Sequence, residues 1–329
     1  MRLLIAAAVL SCAGCLPSSD YQTPPYTPPS VPDMAVVLDA APSSPRWTLV
    51  NSNTQAPLYG IWASTDSEIF VAGGGLILRS TDRGITWSRL SSGTSETLFG
   101  IWGQGADGPI YAFGYRGTLL YSTDHGEHFT AVTGINSQAS LFGMGGTAGD
   151  FYIAGESGTV LHSSDGTTWA ALTAPSAQPL YAVWATPGEV FVTGDDGVYR
   201  TRDAGLSWTN IGVPAGTGLR RGGRSLWSPG SADLFVCGSN IQHTRDGGIT
   251  WEFLTSTTSF ASCRGLIGFP SGDLWAVYSD GMQLHYDTGY TRLQNAYQNK
   301  APQPLYAIWG TAANNLYVVG DVGLIQQYQ

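Results

Sequence analysis

Ser80-Thr81-Asp82-Arg83-Gly84-Ile85-Thr86-Trp87 is the stretch from which the fold can be read. The same order of side chains, Ser/Thr-x-Asp-x-Gly-x-Thr/Ser followed by an aromatic ring, returns at residues 201–208 and 244–251, and at 122–129 with His128 in place of the second hydroxyl residue. A copy one residue shorter occupies 163–169, and a degraded one is left at Asp287-Thr288-Gly289. Ser and Asp side chains bond to nearby backbone amides and so stabilise a tight turn. Gly supplies a positive φ at little steric cost. The closing aromatic ring starts the next strand and packs back over the turn. Asp82, Asp124, Asp165, Asp203 and Asp246 are therefore read as turn-forming residues, with no catalytic role.

Working outward, each turn is preceded by three short strand-like runs. The first has an aromatic-small-aliphatic-Trp pattern: Leu58-Tyr59-Gly60-Ile61-Trp62, Leu98-Phe99-Gly100-Ile101-Trp102, Leu180-Tyr181-Ala182-Val183-Trp184 and Leu305-Tyr306-Ala307-Ile308-Trp309. Divergent copies begin near Leu141, Gly223 and Cys263. The unit recurs about every 41 residues, a spacing that means a repeat architecture with four strands per blade. The expected fold is all-β, a seven-bladed β-propeller over residues 46–329. The seventh unit stops after its third strand, and the missing piece lies at the front. Arg46-Trp47-Thr48-Leu49-Val50 aligns with Thr86-Trp87-Ser88-Arg89-Leu90, so the first strand is predicted to complete the last blade and close the ring.

Residues 1–15 read as a signal peptide, with Arg2 as the charged start and Leu3 to Leu10 as the apolar core. Ala13-Gly14-Cys15 resembles a bacterial lipobox, with Cys15 the acceptor and Cys12 the alternative. No Asp follows either cysteine, which points to an outer-membrane lipoprotein. Residues 16–45 are rich in Pro and Ser without hydrophobic period, and read as a disordered linker.

Composition agrees with short strands and tight turns: 43 Gly, 12% aromatic residues and only 12% charged ones. The net charge of −9, with Lys300 the only Lys, argues against nucleic acid as a partner. No cofactor or metal is expected, and the domain reads as a monomer.

Of the 11 Trp, ten fall at two repeat-locked positions and are read as core; Trp275 stands outside them. His125 and His128 flank one turn, while His162, His243 and His285 fall in different repeats. Cys237 and Cys263 are candidates for a disulfide between neighbouring repeats, which export would permit. The informative feature is a break in the pattern. The second residue of each first strand reads Tyr59, Phe99, Phe142, Tyr181, Arg224, Arg264, Tyr306. Two adjacent repeats thus replace an aromatic ring by Arg at the expected mouth of the central channel. The preceding loop adds Arg220 and Arg221. Clustered Arg suits recognition of carboxylate or phosphate. The same face carries Glu156, Asp195, Asp196, Asp280 and Asp321, which could instead neutralise the Arg internally.

These repeats resemble the BNR/Asp-box propeller superfamily over residues 46–329. Within it, the chain is similar to the photosystem II stability and assembly factor family. That resemblance implies a non-catalytic scaffold that binds a protein or envelope component through an Arg-rich patch. Arg220, Arg221, Arg224 and Arg264 match by type and face, not by a shared motif. Sialidases, which also carry Asp boxes, need an arginine triad, a Tyr-Glu pair and an Asp acid/base, and neither an Arg-Ile-Pro motif nor a convincing triad is found here. A carbohydrate-active hydrolase is the alternative, with its carboxylate pair drawn from the acidic mouth residues.

Overall fold

The computed structural model describes residues 46–135, 137–212, 224–230, 232–254, 261–287, 292–294 and 300–329. All lie in one compact unit, Ser44–Gln329. The described strands form seven antiparallel sheets of four strands each. The first blade shows the plan: Leu58–Ala63, Ile69–Gly73, Leu76–Ser80 and Ser88–Leu90. The strand positions follow from the residues, because β-branched and aromatic side chains alternate with small ones between turns.

The last blade is built from both ends of the domain. Leu305–Ala312, Asn315–Gly320 and Ile325–Tyr328 supply three strands, and Trp47–Val50 adds the fourth. Trp47 pairs with Tyr328 and Val50 with Ile325. The ring is thus closed by its own N-terminal strand, as the alignment of residues 46–50 implies.

The core is divided among the seven junctions between blades, not gathered at one centre. The junction of the sixth and seventh blades explains Trp275, which is 1% exposed. Its ring meets Trp47 edge-on at 5.8 Å and Tyr328 at 4.8 Å. The closing strand therefore contributes to the apolar core of two blades as well as to one sheet. Among the described residues every cluster lies between residues 47 and 328, within the compact unit Ser44–Gln329.

The repeated turn is held as its residue types suggest. Ser80 Oγ donates to Asp82 Oδ1 at 2.8 Å and accepts from the Gly84 amide at 2.8 Å. The Thr86 amide and hydroxyl donate to the two Asp82 oxygens at 2.9 and 2.5 Å. Trp87 Nε1 donates to the Gly84 carbonyl at 3.1 Å. Gly84 has φ of +78°, and a Cβ there would stand 2.8 Å from Tyr317 of the preceding blade. These bonds, that from the Thr86 hydroxyl first, hold the Asp82 carboxyl down at about 2. Asp203 and Asp246 are likewise held at about 2, chiefly by the Ser207 and Thr250 hydroxyls. Asp124 and Asp165 are lowered too, led by the amides of His128 and Thr168. The strand after the turn begins one residue later than expected, at Ser88, Thr209 and Glu252.

Candidate functional site at the channel mouth

The first strand of each blade lines the axis, and a backbone irregularity decides which side chain reaches its mouth. In six blades the pairing between first and second strands skips one residue, between Leu58 and Gly60, Leu98 and Gly100, Leu141 and Gly143, Leu180 and Ala182, Cys263 and Gly265, and Leu305 and Ala307. Such a bulge re-aims the unpaired residue. The skipped residues are Tyr59, Phe99, Phe142, Tyr181, Arg264 and Tyr306. In the fifth blade Arg224 lies just outside the strand, its amide donating to the Cys237 carbonyl at 2.7 Å. All seven side chains line one cavity of about 370 Å³. The next residue is small because adjacent backbones nearly touch: a Cβ on Gly60 would be 2.7 Å from Gly100 Cα, and one on Gly143 would be 2.4 Å from the Tyr181 carbonyl.

Five of the seven mouth residues form a continuous aromatic arc. Tyr306 and Tyr59 are 5.0 Å apart, Tyr59 and Phe99 5.8 Å, Phe99 and Phe142 5.6 Å, and Phe142 and Tyr181 5.5 Å. The arc ends on a cation. Arg224 places its guanidinium carbon 4.0 Å from the Tyr181 ring centre, a stacking contact that holds the guanidinium while leaving most of its N–H groups uncommitted. Arg224 Nε is buried and has no hydrogen-bond partner among the described residues. No described carboxylate lies within ion-pair distance of Arg224. Arg264 completes the ring between Arg224 and Tyr306, and its charge is felt by both Tyr181 and Tyr306.

The mouth carboxylates are held locally. Asp195 accepts from the Tyr181 hydroxyl at 3.0 Å, Asp196 from Ser176 Oγ at 2.5 Å, and Glu156 from the Ser140 amide at 3.1 Å. Asp280 accepts from Lys300 at 3.3 Å, and Asp321 from the Val322 amide at 3.0 Å. Burial pushes the Tyr59 phenol up, helped by the Asp321 charge, and the same two causes raise Tyr306. Burial also raises Tyr181, with Asp195 adding to the shift and Arg224 opposing it. These phenols are protonated donors at neutral pH. Arg220 and Arg221 lie in residues 213–223, outside the described residues.

Cys237 and Cys263 are bonded, with Cα atoms 5.5 Å apart. The bridge sits beneath the cationic sector. Cys237 holds the Arg224 amide, and Arg264 follows Cys263 in the chain. It thereby fixes the two Arg-bearing blades to each other.

The axis continues below the mouth into a second cavity of about 390 Å³, which shares Ile101, Phe142 and Tyr181 with the first. No charged side chain lines it. A cation above an uncharged channel is poorly screened by the protein itself.

Sequence reasoning missed a row of acid–base pairs on the opposite face. His162 Nε2 lies 2.6 Å from Asp150, His285 Nε2 lies 2.7 Å from Asp273, and His243 Nε2 bonds Asp233. Arg79 and Glu68 fill the same place in the first blade at 2.7 Å. The three imidazoles do not converge; each binds the second strand of its own blade. A signal was present as an acid two residues before an aromatic ring: Glu68 and Phe70, Asp150 and Tyr152, Asp233 and Phe235, Asp273 and Trp275. His243 and His285 stack on that aromatic at 3.9 and 4.0 Å, and His162 meets Tyr152 tilted at 4.7 Å. His128 bonds Asp124 at 2.7 Å and His125 lies 3.5 Å from Glu68. Among the described residues, no group of three His, Cys, Asp or Glu is arranged to hold a metal ion.

The chain is therefore a seven-bladed Asp-box β-propeller, and a BNR/Asp-box repeat model matches residues 78–89. Among solved structures it is similar to YCF48 from Cyanidioschyzon merolae, with 15% identity and a TM-score of 0.69 over 86% of this chain and 98% of that one. A structure of YCF48 bound to D1 peptide matches with 17% identity and a TM-score of 0.70, over 88% and 98% of the two chains. Virginiamycin B lyase from Staphylococcus aureus gives 13% identity and a TM-score of 0.75, over 87% and 99%. At these identities the likeness is one of fold. No curated protein matches the chain in sequence.

Proposed function

We propose that this propeller is a non-catalytic scaffold that binds a protein partner at the channel mouth. One observation carries the reading. Arg224 is stacked on Tyr181, faces no described carboxylate and has a buried Nε without an acceptor. A buried guanidinium N–H without a partner costs free energy until an acceptor arrives. A carboxylate brought by a partner would supply it, and the aromatic arc beside it offers area for apolar side chains. That a fold relative, YCF48, has been captured with D1 peptide supports peptide binding by such a ring. Fold relatives also include a lyase. A hydrolase would need two carboxylates facing each other across a cleft, whereas the mouth carboxylates here are engaged by nearby hydroxyls, amides and Lys300.

The partner would belong to the cell envelope. In this reading the leader delivers the chain across the inner membrane, Cys15 (or Cys12) carries the lipid, and residues 16–45 act as the spacer. Mass spectrometry of the mature N-terminus tests that arrangement. The binding reading is tested by crosslinked capture from intact membranes with wild type and Arg224→Glu/Arg264→Glu. Loss of an interfacial charged pair weakens binding by about 2–5 kcal/mol. The captured partners should fall away in the variant at unchanged melting temperature, and an identical partner set would refute the mouth as the docking site.

A further inference from the structure

The face opposite the mouth exposes aliphatic carbon in a pattern. Ile85, Leu206 and Ile249 are 74%, 82% and 83% exposed. They occupy one position in three of the eight-residue boxes, directly after the glycine that precedes the hydroxyl residue. Single exposed apolar side chains are ordinary. Three at the same repeat position project from the same face of the ring. The turn does not need them, because its side-chain hydrogen bonds come from the residues on either side.

Each of these boxes also carries an exposed Arg: Arg83, Arg202 and Arg245. Arg202 pairs with Glu189, and Arg245 with Glu252, but both remain more than half exposed. The Asp of each box has both oxygens taken up by hydroxyls and amides of its own turn. These turns thus offer aliphatic carbon and guanidinium to the outside, with their carboxylates already satisfied. The second blade, by contrast, has Glu127 at the aliphatic position.

The first described strand begins on this same face. Trp47 pairs with Tyr328 at the box end of the last blade, and the Arg46 amide donates to Gln329. On the reading that the N-terminus carries a lipid, on which the inference rests, the chain enters the ring on the face that would meet the bilayer.

We propose that the Asp-box face docks on a lipid bilayer, with Ile85, Leu206 and Ile249 entering the boundary between headgroups and acyl chains. The adjacent guanidinium groups lie at phosphate depth. A spacer alone would leave the ring free to tumble. Three shallow insertions hold one face down and present the mouth to the aqueous side, where a partner can reach Arg224.

The test uses residues 16–329, which contain the whole ring and neither lipid-acceptor cysteine, with vesicles of phosphatidylethanolamine and phosphatidylglycerol separated by flotation. Wild type should float with the lipid. Ile85→Ser/Leu206→Ser/Ile249→Ser should lower the partition coefficient by about tenfold per side chain, with an unchanged melting temperature. Arg224→Glu/Arg264→Glu should float as wild type does, so that loss of partner and loss of lipid are read separately. Wild type that stays with the buffer, or a triple variant that floats equally well, overturns the proposal. Binding to native membranes but not to protein-free vesicles overturns it as well, since the receptor would then be a protein.

Discussion

The two faces of the ring handle charge in opposite ways. On the Asp-box face, the turn Asp residues meet hydroxyls and amides, and Glu68, Asp150, Asp233 and Asp273 each meet a base from the neighbouring strand. On the mouth face, carboxylates are bonded locally while Arg224 rests on an aromatic ring. Carboxylates that follow the repeat are consumed in building blades, whereas Arg224, which breaks the repeat, faces no described carboxylate. The distinction is physical: a residue present in most blades must suit every junction, whereas Arg224 and Arg264 answer to one sector only.

The largest expected effect comes from treating both faces as one ring. Deleting residues 46–50 removes the strand paired with Ile325–Tyr328 and the buried Trp47. Loss of a buried Trp side chain alone costs about 3–5 kcal/mol, and the deletion also leaves a sheet edge and a core junction open. The purified deletion should lack a cooperative thermal transition. Melting like that of wild type would show that the closing strand is dispensable.

The mouth's cationic sector can be separated from the rest by its bridge. Cys237→Ser/Cys263→Ser opens a loop with a sequence separation of 26, which should cost about 3 kcal/mol in denaturant unfolding. Because the bridge joins the blades bearing Arg224 and Arg264, partner affinity should fall together with stability. The two Ser residues should leave lipid flotation unchanged. Affinity that survives the loss of the bridge would mean that stacking on Tyr181 alone positions Arg224.

The blades were legible because the turn motif and the first strand repeat at fixed spacing, and the closing strand because residues 46–50 align with a piece that the seventh unit lacks. The mouth was legible only as a row of substitutions. Which side chains enter the cavity depends on a bulge, a matter of pairing register rather than of composition. The stacking of Arg224 on Tyr181 joins two residues 43 positions apart in neighbouring blades, and no local pattern announces it. The His–carboxylate pairs were overlooked for the reverse reason. His162, His243 and His285 stand in different repeats and share no site, and the partner of each is the acid at the start of its own second strand.

The smallest effect is a difference in pH response between the faces. Asp82, Asp203 and Asp246 have folded values near 2, depressed below an ordinary 3.8 by hydrogen bonds to their turns. Their contribution is present above the unfolded value and is lost as pH falls from about 4 towards about 2. The mouth phenols behave oppositely. Tyr59, Tyr181 and Tyr306 are raised above 10.0, first by burial, so their contribution is full below that value and declines as pH rises beyond it. The acid limb of unfolding should therefore report the box turns, while the alkaline limb sums the mouth phenols with Tyr111 and Tyr317 beside the boxes, which burial raises to about 12. Thr86→Val, which removes the hydroxyl bonded to Asp82, should shrink the acid step and leave the alkaline one intact. Tyr306→Phe should shrink the alkaline step alone. If either substitution moved both steps equally, the ring would respond to pH as a single electrostatic unit, and the division of charge between its faces would not reach its stability.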